Sequence, residues 1–78
     1  MDDKIKKSIG ITLRNIRKSK LLKVPEVSND TGISIDTIYR YEQGRGNDID
    51  TLGKLIEYYE LDFVIFFKKS YDNSHNQK

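Results

Sequence analysis

Apolar residues return along this chain at helical intervals for most of its length. Between Asp3 and Lys20, Ile5, Ile9, Leu13 and Ile16 step by four, four and three positions, which predicts one helix with an apolar stripe. Val24 and Val27 mark a short second run, VPEVSND, and Ile35, Ile38 and Tyr41 a third. Leu52, Leu55, Ile56 and Tyr59 give a fourth amphipathic run after the glycine-containing stretch QGRGND. The pattern then changes. In LDFVIFFKK, from Leu61 to Lys69, β-branched and aromatic residues follow one another without a helical stripe, which predicts a strand over 62–69 buried on both faces. A fifth helix packed on the core is the other reading of that segment. Residues 70–78 are polar and are expected to form a disordered tail.

The local punctuation agrees with four helices. Gly32 permits the left-handed backbone that ends a helix abruptly. Ser34 follows as an N-cap, its hydroxyl within reach of the N–H groups of Asp36 and Thr37. Pro25 falls in a first helical turn, where a missing N–H leaves no hydrogen bond unmade. Asp48 is the expected cap of the fourth helix. Two short helices joined by a tight glycine turn form the helix-turn-helix pattern. The same pattern also fits small helical domains that never touch nucleic acid.

Seventy-eight residues make one domain with a modest core, of the size often helped by a partner, a metal or disulfides. Cysteine is absent, and the one histidine, His75, sits in the polar tail, so neither disulfides nor a metal centre is expected. No cofactor is implied. Dimerisation is left as the source of extra stability. A lone strand at 62–69 would expose an unpaired edge, and pairing with its copy across a two-fold axis through Phe63, Val64, Ile65, Phe66 and Phe67 would cover it. No apolar run approaches the roughly 18 residues of a membrane span, and the start lacks a signal-peptide core, so a cytoplasmic location without membrane contact is expected. The net charge of +2 hides a polarised distribution. Residues 1–23 carry eight Lys or Arg against two Asp, whereas residues 24–62 carry three basic and nine acidic side chains. A basic end suits a phosphate backbone, although any one of these lysines can equally be a solvated surface residue.

The segment GISIDTIYRYEQG resembles the second half of the helix-turn-helix in the Cro and lambda-repressor-like (XRE) family. Ile9-Gly10 with LRNIR resembles that family's first helix, and DTLGKLIEYYEL its closing helix. The resemblance covers roughly residues 5 to 61. It implies a mostly α, four- to five-helix lambda-repressor-like domain over 1–69, here with a short C-terminal β-strand pairing across a homodimer. That ending is similar in type and position to regulators resembling the HipB antitoxin. By position in the motif, Ile35, Asp36, Thr37 and Arg40 would face bases in the major groove. Arg40 suits the O6 and N7 acceptors of guanine, Asp36 the N4 donor of cytosine, and Ile35 or Thr37 a thymine methyl. Asp36 and Arg40, four apart, can instead pair with each other on the helix surface. Lys23, Ser34, Tyr39, Arg45 and Asn47 would lie along the DNA backbone. The resemblance further implies a structural ion pair between Arg17 and Glu42. The chain departs from the family at the start of helix 2, where Lys23 and Val24 replace Thr-Gln, removing both a cap hydroxyl and an amide that would reach a phosphate.

The expected function is therefore a sequence-specific DNA-binding transcriptional regulator, a homodimeric repressor of a palindromic operator in double-stranded DNA. The alternative is an antitoxin-type protein that neutralises a partner protein and autoregulates its operon. An enzyme is not expected, since the sequence offers no Cys, no phosphate-binding glycine loop and no clustered His or carboxylates. RNA binding is disfavoured by the lack of an aromatic stacking platform outside the apolar runs.

Overall fold

The computed structural model describes residues 3–62, 64–66, 68, 70 and 71. Four helices run α1 (Asp3–Ser19), α2 (Val24–Thr31), α3 (Ile35–Glu42) and α4 (Ile49–Tyr58). The described residues at 64–66, 68, 70 and 71 are helical as well and form a fifth segment, α5. Helix α1 packs on α3, and α2 packs on both α3 and α4. Their apolar stripes meet in one core of Ile9, Leu13, Val24, Val27, Ile33, Ile38, Tyr41, Leu52, Leu55, Ile56, Tyr59 and Phe66.

The helix ends are fixed by local chemistry. Ser34 Oγ accepts from the Thr37 N–H at 3.1 Å, and Asp48 Oδ1 accepts from the Asp50 N–H at 3.1 Å while its Oδ2 accepts from the Thr51 hydroxyl at 2.7 Å. The Thr51 hydrogen bond, followed by that from Asp50, holds the Asp48 carboxyl below its usual range. Among the described residues the chain turns through a left-handed residue four times after its helices, at Leu21, Gly32, Gly44 and Glu60. Three of these turns share one hydrogen-bond pattern: Leu22 N–H to Arg17 O, Arg45 N–H to Arg40 O, and Leu61 N–H to Ile56 O, at 3.1, 2.8 and 3.0 Å. Gly32 uses the simpler bond, its N–H to Ser28 O at 2.9 Å.

The segment 62–69 corrects the expectation of a strand. Asp62 starts a helix there, its Oδ1 accepting from the N–H groups of Val64 and Ile65 at 2.8 and 3.2 Å and its carbonyl from Phe66 N–H at 2.8 Å. The helical turn places Phe66 in the core, 2% exposed, and Ser70 four positions on against α1. There Ser8 Oγ donates to the Ser70 carbonyl, and Ser70 Oγ bonds to Phe66 O at 3.1 Å. Burying one phenylalanine contributes about 1.5–3 kcal/mol, more than the ~1 kcal/mol range of strand propensity that the β-branched neighbours express. Phe66 is thus a core residue rather than a dimerisation residue, and no strand occurs among the described residues. Val64 and Ile65, also assigned to strand pairing, are 75% and 65% exposed; Phe63 and Phe67 lie outside the described residues. Ser70 and Tyr71, expected in the tail, continue α5, while 72–78, including His75, lies outside the described residues.

Among the described residues one core group is left without a partner. Tyr59 is buried, and its hydroxyl has no hydrogen bond among the described residues. Burial pushes its phenol up to about 12. Tyr59→Phe is expected to raise the free energy of unfolding by about 1 kcal/mol, since an unsatisfied buried hydroxyl costs about 1–3 kcal/mol. In the unfolded chain the phenol ionises near 10, before the folded one, so stability falls as pH rises from about 10 to about 12. Urea midpoints at pH 8 and pH 11 check both points: the Phe variant should gain at pH 8 and gain more at pH 11.

Candidate nucleic-acid interface

Helix α3 is held from behind by two features of α1. At Gly10 the helices approach so closely that a Cβ would lie 2.5 Å from Tyr41 O and 2.6 Å from Glu42 O. Only glycine allows that contact. Two turns further along α1, Arg17 grips Glu42 bidentately, Nε to Oε2 at 2.7 Å and Nη2 to Oε1 at 2.9 Å, and its Nη1 donates to Leu22 O at 2.9 Å. Both side chains are almost wholly buried. The Glu42 hydrogen bonds raise the guanidinium above its ordinary pKa although burial pulls the other way. The pair therefore ties the end of α1, the approach to α2 and the end of α3 together.

With Ile38, Tyr41 and Glu42 turned inward, the outer face of α3 is left to Ile35, Asp36, Tyr39 and Arg40. All four are exposed; Thr37 is half-buried, and its hydroxyl accepts from Ser34 Oγ at 2.8 Å. Arg40 Nη2 lies 3.3 Å from Asp36 Oδ2, so the two form an exposed pair one turn apart, of the kind worth a few tenths of a kcal/mol. Such a bond yields readily to a stronger partner. A shallow concavity beside α3 brings Thr37, Arg40, Arg45 and Asn47 together over Tyr41, Gly46 and Asp48. The Tyr41 hydroxyl forms its floor by accepting from the Asp48 N–H at 2.6 Å and donating to the Asp48 carbonyl. Arg45 is exposed and donates to the Gln43 side-chain oxygen. Lys23 and Ser34 are exposed too, at the starts of α2 and α3; neither lines that concavity, although Ser34 bonds to Thr37 at its edge.

A family model described as a helix-turn-helix domain matches residues 8–63, well over half of the sequence. The chain belongs to that family. Neither a curated protein nor a solved structure matches it. Helix-turn-helix domains are the DNA-binding parts of regulators, and α2, the Gly32 turn and α3 are the helix-turn-helix of this one. No helix among the described residues is long and apolar enough to cross a membrane.

Sequence reasoning missed three contributors to this helix-turn-helix. Glu26 accepts from the Lys23 N–H at 2.9 Å, so the helix whose cap hydroxyl is missing is closed by a carboxylate reaching back instead. The signal was present, a Glu three residues beyond the cap position. Gln43 holds Arg45, and the Tyr41 hydroxyl holds the turn before α4; neither contact leaves a mark in the spacing of residues. Glu42→Ala strands the buried Arg17 charge and is expected to lower the free energy of unfolding by about 3–5 kcal/mol. Chemical denaturation followed by circular dichroism measures it, and a loss below about 1 kcal/mol would show the pair to be dispensable.

Proposed function

We propose that this protein is a sequence-specific transcriptional regulator of the Cro-like kind, a homodimer that represses by occupying a palindromic operator. The observation that carries the reading is the state of α3: its inner face is locked by Arg17–Glu42 and the Gly10 contact, whereas, among the described residues, its outer face exposes Ile35 and Tyr39 and engages Asp36 and Arg40 only with each other. A rigid helix that projects polar and apolar groups suits the major groove. In this reading Arg40 leaves its weak pair with Asp36 to bond guanine, Asp36 accepts from cytosine, and Ile35 and Thr37 press on thymine methyls. Lys23, Ser34, Tyr39, Arg45 and Asn47 contact the backbone and set the register. Two-fold association is supported by Val64 and Ile65, large apolar side chains left in water on α5. The antitoxin reading drew on a terminal strand and a polar tail; α5 stands in place of the strand, and 72–78 lies outside the described residues.

The start of α2 adds a feature of its own. Backbone N–H groups at a helix N-terminus attract phosphate, but here Pro25 lacks one and the Glu26 carboxylate occupies another. Phosphate anchoring at this end falls to the Lys23 ammonium.

Selection of bound duplexes from a random pool tests the whole reading; a motif with no internal symmetry would overturn the dimer, and no enriched motif would overturn sequence-specific binding. On the selected site Arg40→Ala should relax preference at one base pair, a loss of about 1–3 kcal/mol in discrimination. Arg45→Ala should weaken all sequences alike and flatten the salt dependence by about 0.9. Glu26→Gln keeps an acceptor for the Lys23 N–H while removing a charge that repels phosphate. It should tighten binding by roughly twofold to fivefold, matching the 0.3–1 kcal/mol of a charge at a helix end, and an unchanged affinity would place α2 away from the backbone.

A further inference from the structure

Helix α1 presents a second face that the helix-turn-helix does not use. Lys4, Lys7, Ile11, Arg14 and Lys18 succeed one another at intervals of three and four, and all five are exposed. They form one stripe on the side away from Leu13 and Ile9, about 21 Å long at 1.5 Å per residue. Four of its five positions are cationic, and α1 contains one acid, Asp3, at its first residue. Among the described residues Lys7, Arg14 and Lys18 have no ion-pair partner. Like charges three and four residues apart repel one another and disfavour the helix that carries them. A stripe of this kind therefore weakens the isolated fold, and a polyanion would relieve it.

The position of the stripe identifies the polyanion. Lys7 lies against Gly44, where an added Cβ would come within 2.8 Å of the Lys7 Cα, so this end of the stripe abuts the turn that carries Arg45. Its other end, at Lys18, lies one turn before Leu22 and Lys23, where Arg17 Nη1 meets Leu22 O. The stripe thus runs between the two ends of the α2–α3 unit, and Gly10 and Arg17 fix it rigidly to the reading helix. One strand of duplex DNA carries a phosphate about every 3.4 Å along the axis, so a length of about 21 Å spans about six of them.

We infer that the outer face of α1, through Lys7, Arg14 and Lys18, is a second surface for the phosphate backbone of duplex DNA, outside the groove that α3 enters. This rests on the DNA-binding reading above. The phosphates are those flanking the site on the bound duplex, because Gly10 and Arg17 fix the stripe to α3 and its ends abut those of the α2–α3 unit. The face is sequence-blind; it adds affinity and salt dependence without changing the preferred operator.

The test compares the wild-type chain with a triple variant, Lys7→Gln, Arg14→Gln and Lys18→Gln, and with a charge-preserving triple, Lys7→Arg, Arg14→Lys and Lys18→Arg. Thermal melts of all three verify folding. Binding is titrated from 50 to 200 mM KCl on the selected operator, bare and with ten base pairs added on each side, and a capture assay asks whether the preformed complex retains a second, unrelated duplex. The neutral triple should lose about 2–3 units from the slope of log Kobs against log[KCl], at about 0.9 per phosphate contact, with its base preferences unchanged and the charge-preserving triple like wild type. A deficit that grows with flank length supports the face as a surface for the same duplex; a deficit confined to the capture assay overturns that and assigns the face to a second duplex. Equal slopes and equal capture for wild type and the neutral triple overturn the inference while leaving the operator reading intact. A wild-type chain that binds no duplex overturns the operator reading, and this inference with it.

Discussion

The structure depends on how closely α1 can approach the end of α3. Side chains normally keep helix backbones well apart, yet at Gly10 the distance falls to the point where a methyl group would collide with two carbonyl oxygens. That proximity places Arg17 where it can reach Glu42 with both ends of its guanidinium fork, and the same arginine then catches the Leu22 carbonyl on its way into α2. Opposite charges removed from water are favourable only when geometry is good and the remaining donors are satisfied. Here a bidentate pair and a backbone acceptor meet that requirement. Removing Gly10 would undo the geometry, and with it the reason to bury either charge.

The proposed function draws on the same arrangement. A helix that is to read base edges must be stiff, because a displacement of its side chains loses the hydrogen bonds that discriminate. Eight residues make a helix too short to be stable alone. Its stiffness comes from ties beyond its own backbone: the Ser34 cap at one end, Arg17 of α1 holding Glu42 at the other, and the Tyr41 phenol clasping both backbone groups of Asp48. None of these uses the outward side chains, which stay available for a partner.

Much of this was legible in the residues. The four-four-three spacing of Ile5, Ile9, Leu13 and Ile16 located α1, Gly32 and Ser34 located the turn, and Asp48 the start of α4. The likeness to Cro-like domains pointed to Arg17 and Glu42. What stayed hidden was written in groups that periodicity does not weigh. Val64 and Ile65 gave 62–69 the look of a strand, and a buried Ser70 gave no warning that Phe66 and Ser70 form the inner edge of a helix. Gly10, within a helix, reads as a weak point until a neighbouring backbone is seen beside it. Glu26 stands three residues after a lysine, and a reader looking for a hydroxyl at the cap passes over it.

Two of the four left-handed turns are made without glycine, at Leu21 and Glu60. A side chain in that conformation costs about 1–2 kcal/mol, of which glycine's own flexibility would return about half. For a small domain whose whole margin is of the order of 5–15 kcal/mol, these corners hold a sizeable unused reserve. Because Leu21 and Glu60 are both exposed and belong neither to the core nor to the face of α3, this chain can evolve toward greater heat tolerance at its corners while the outer face of α3 and its interior stay as they are.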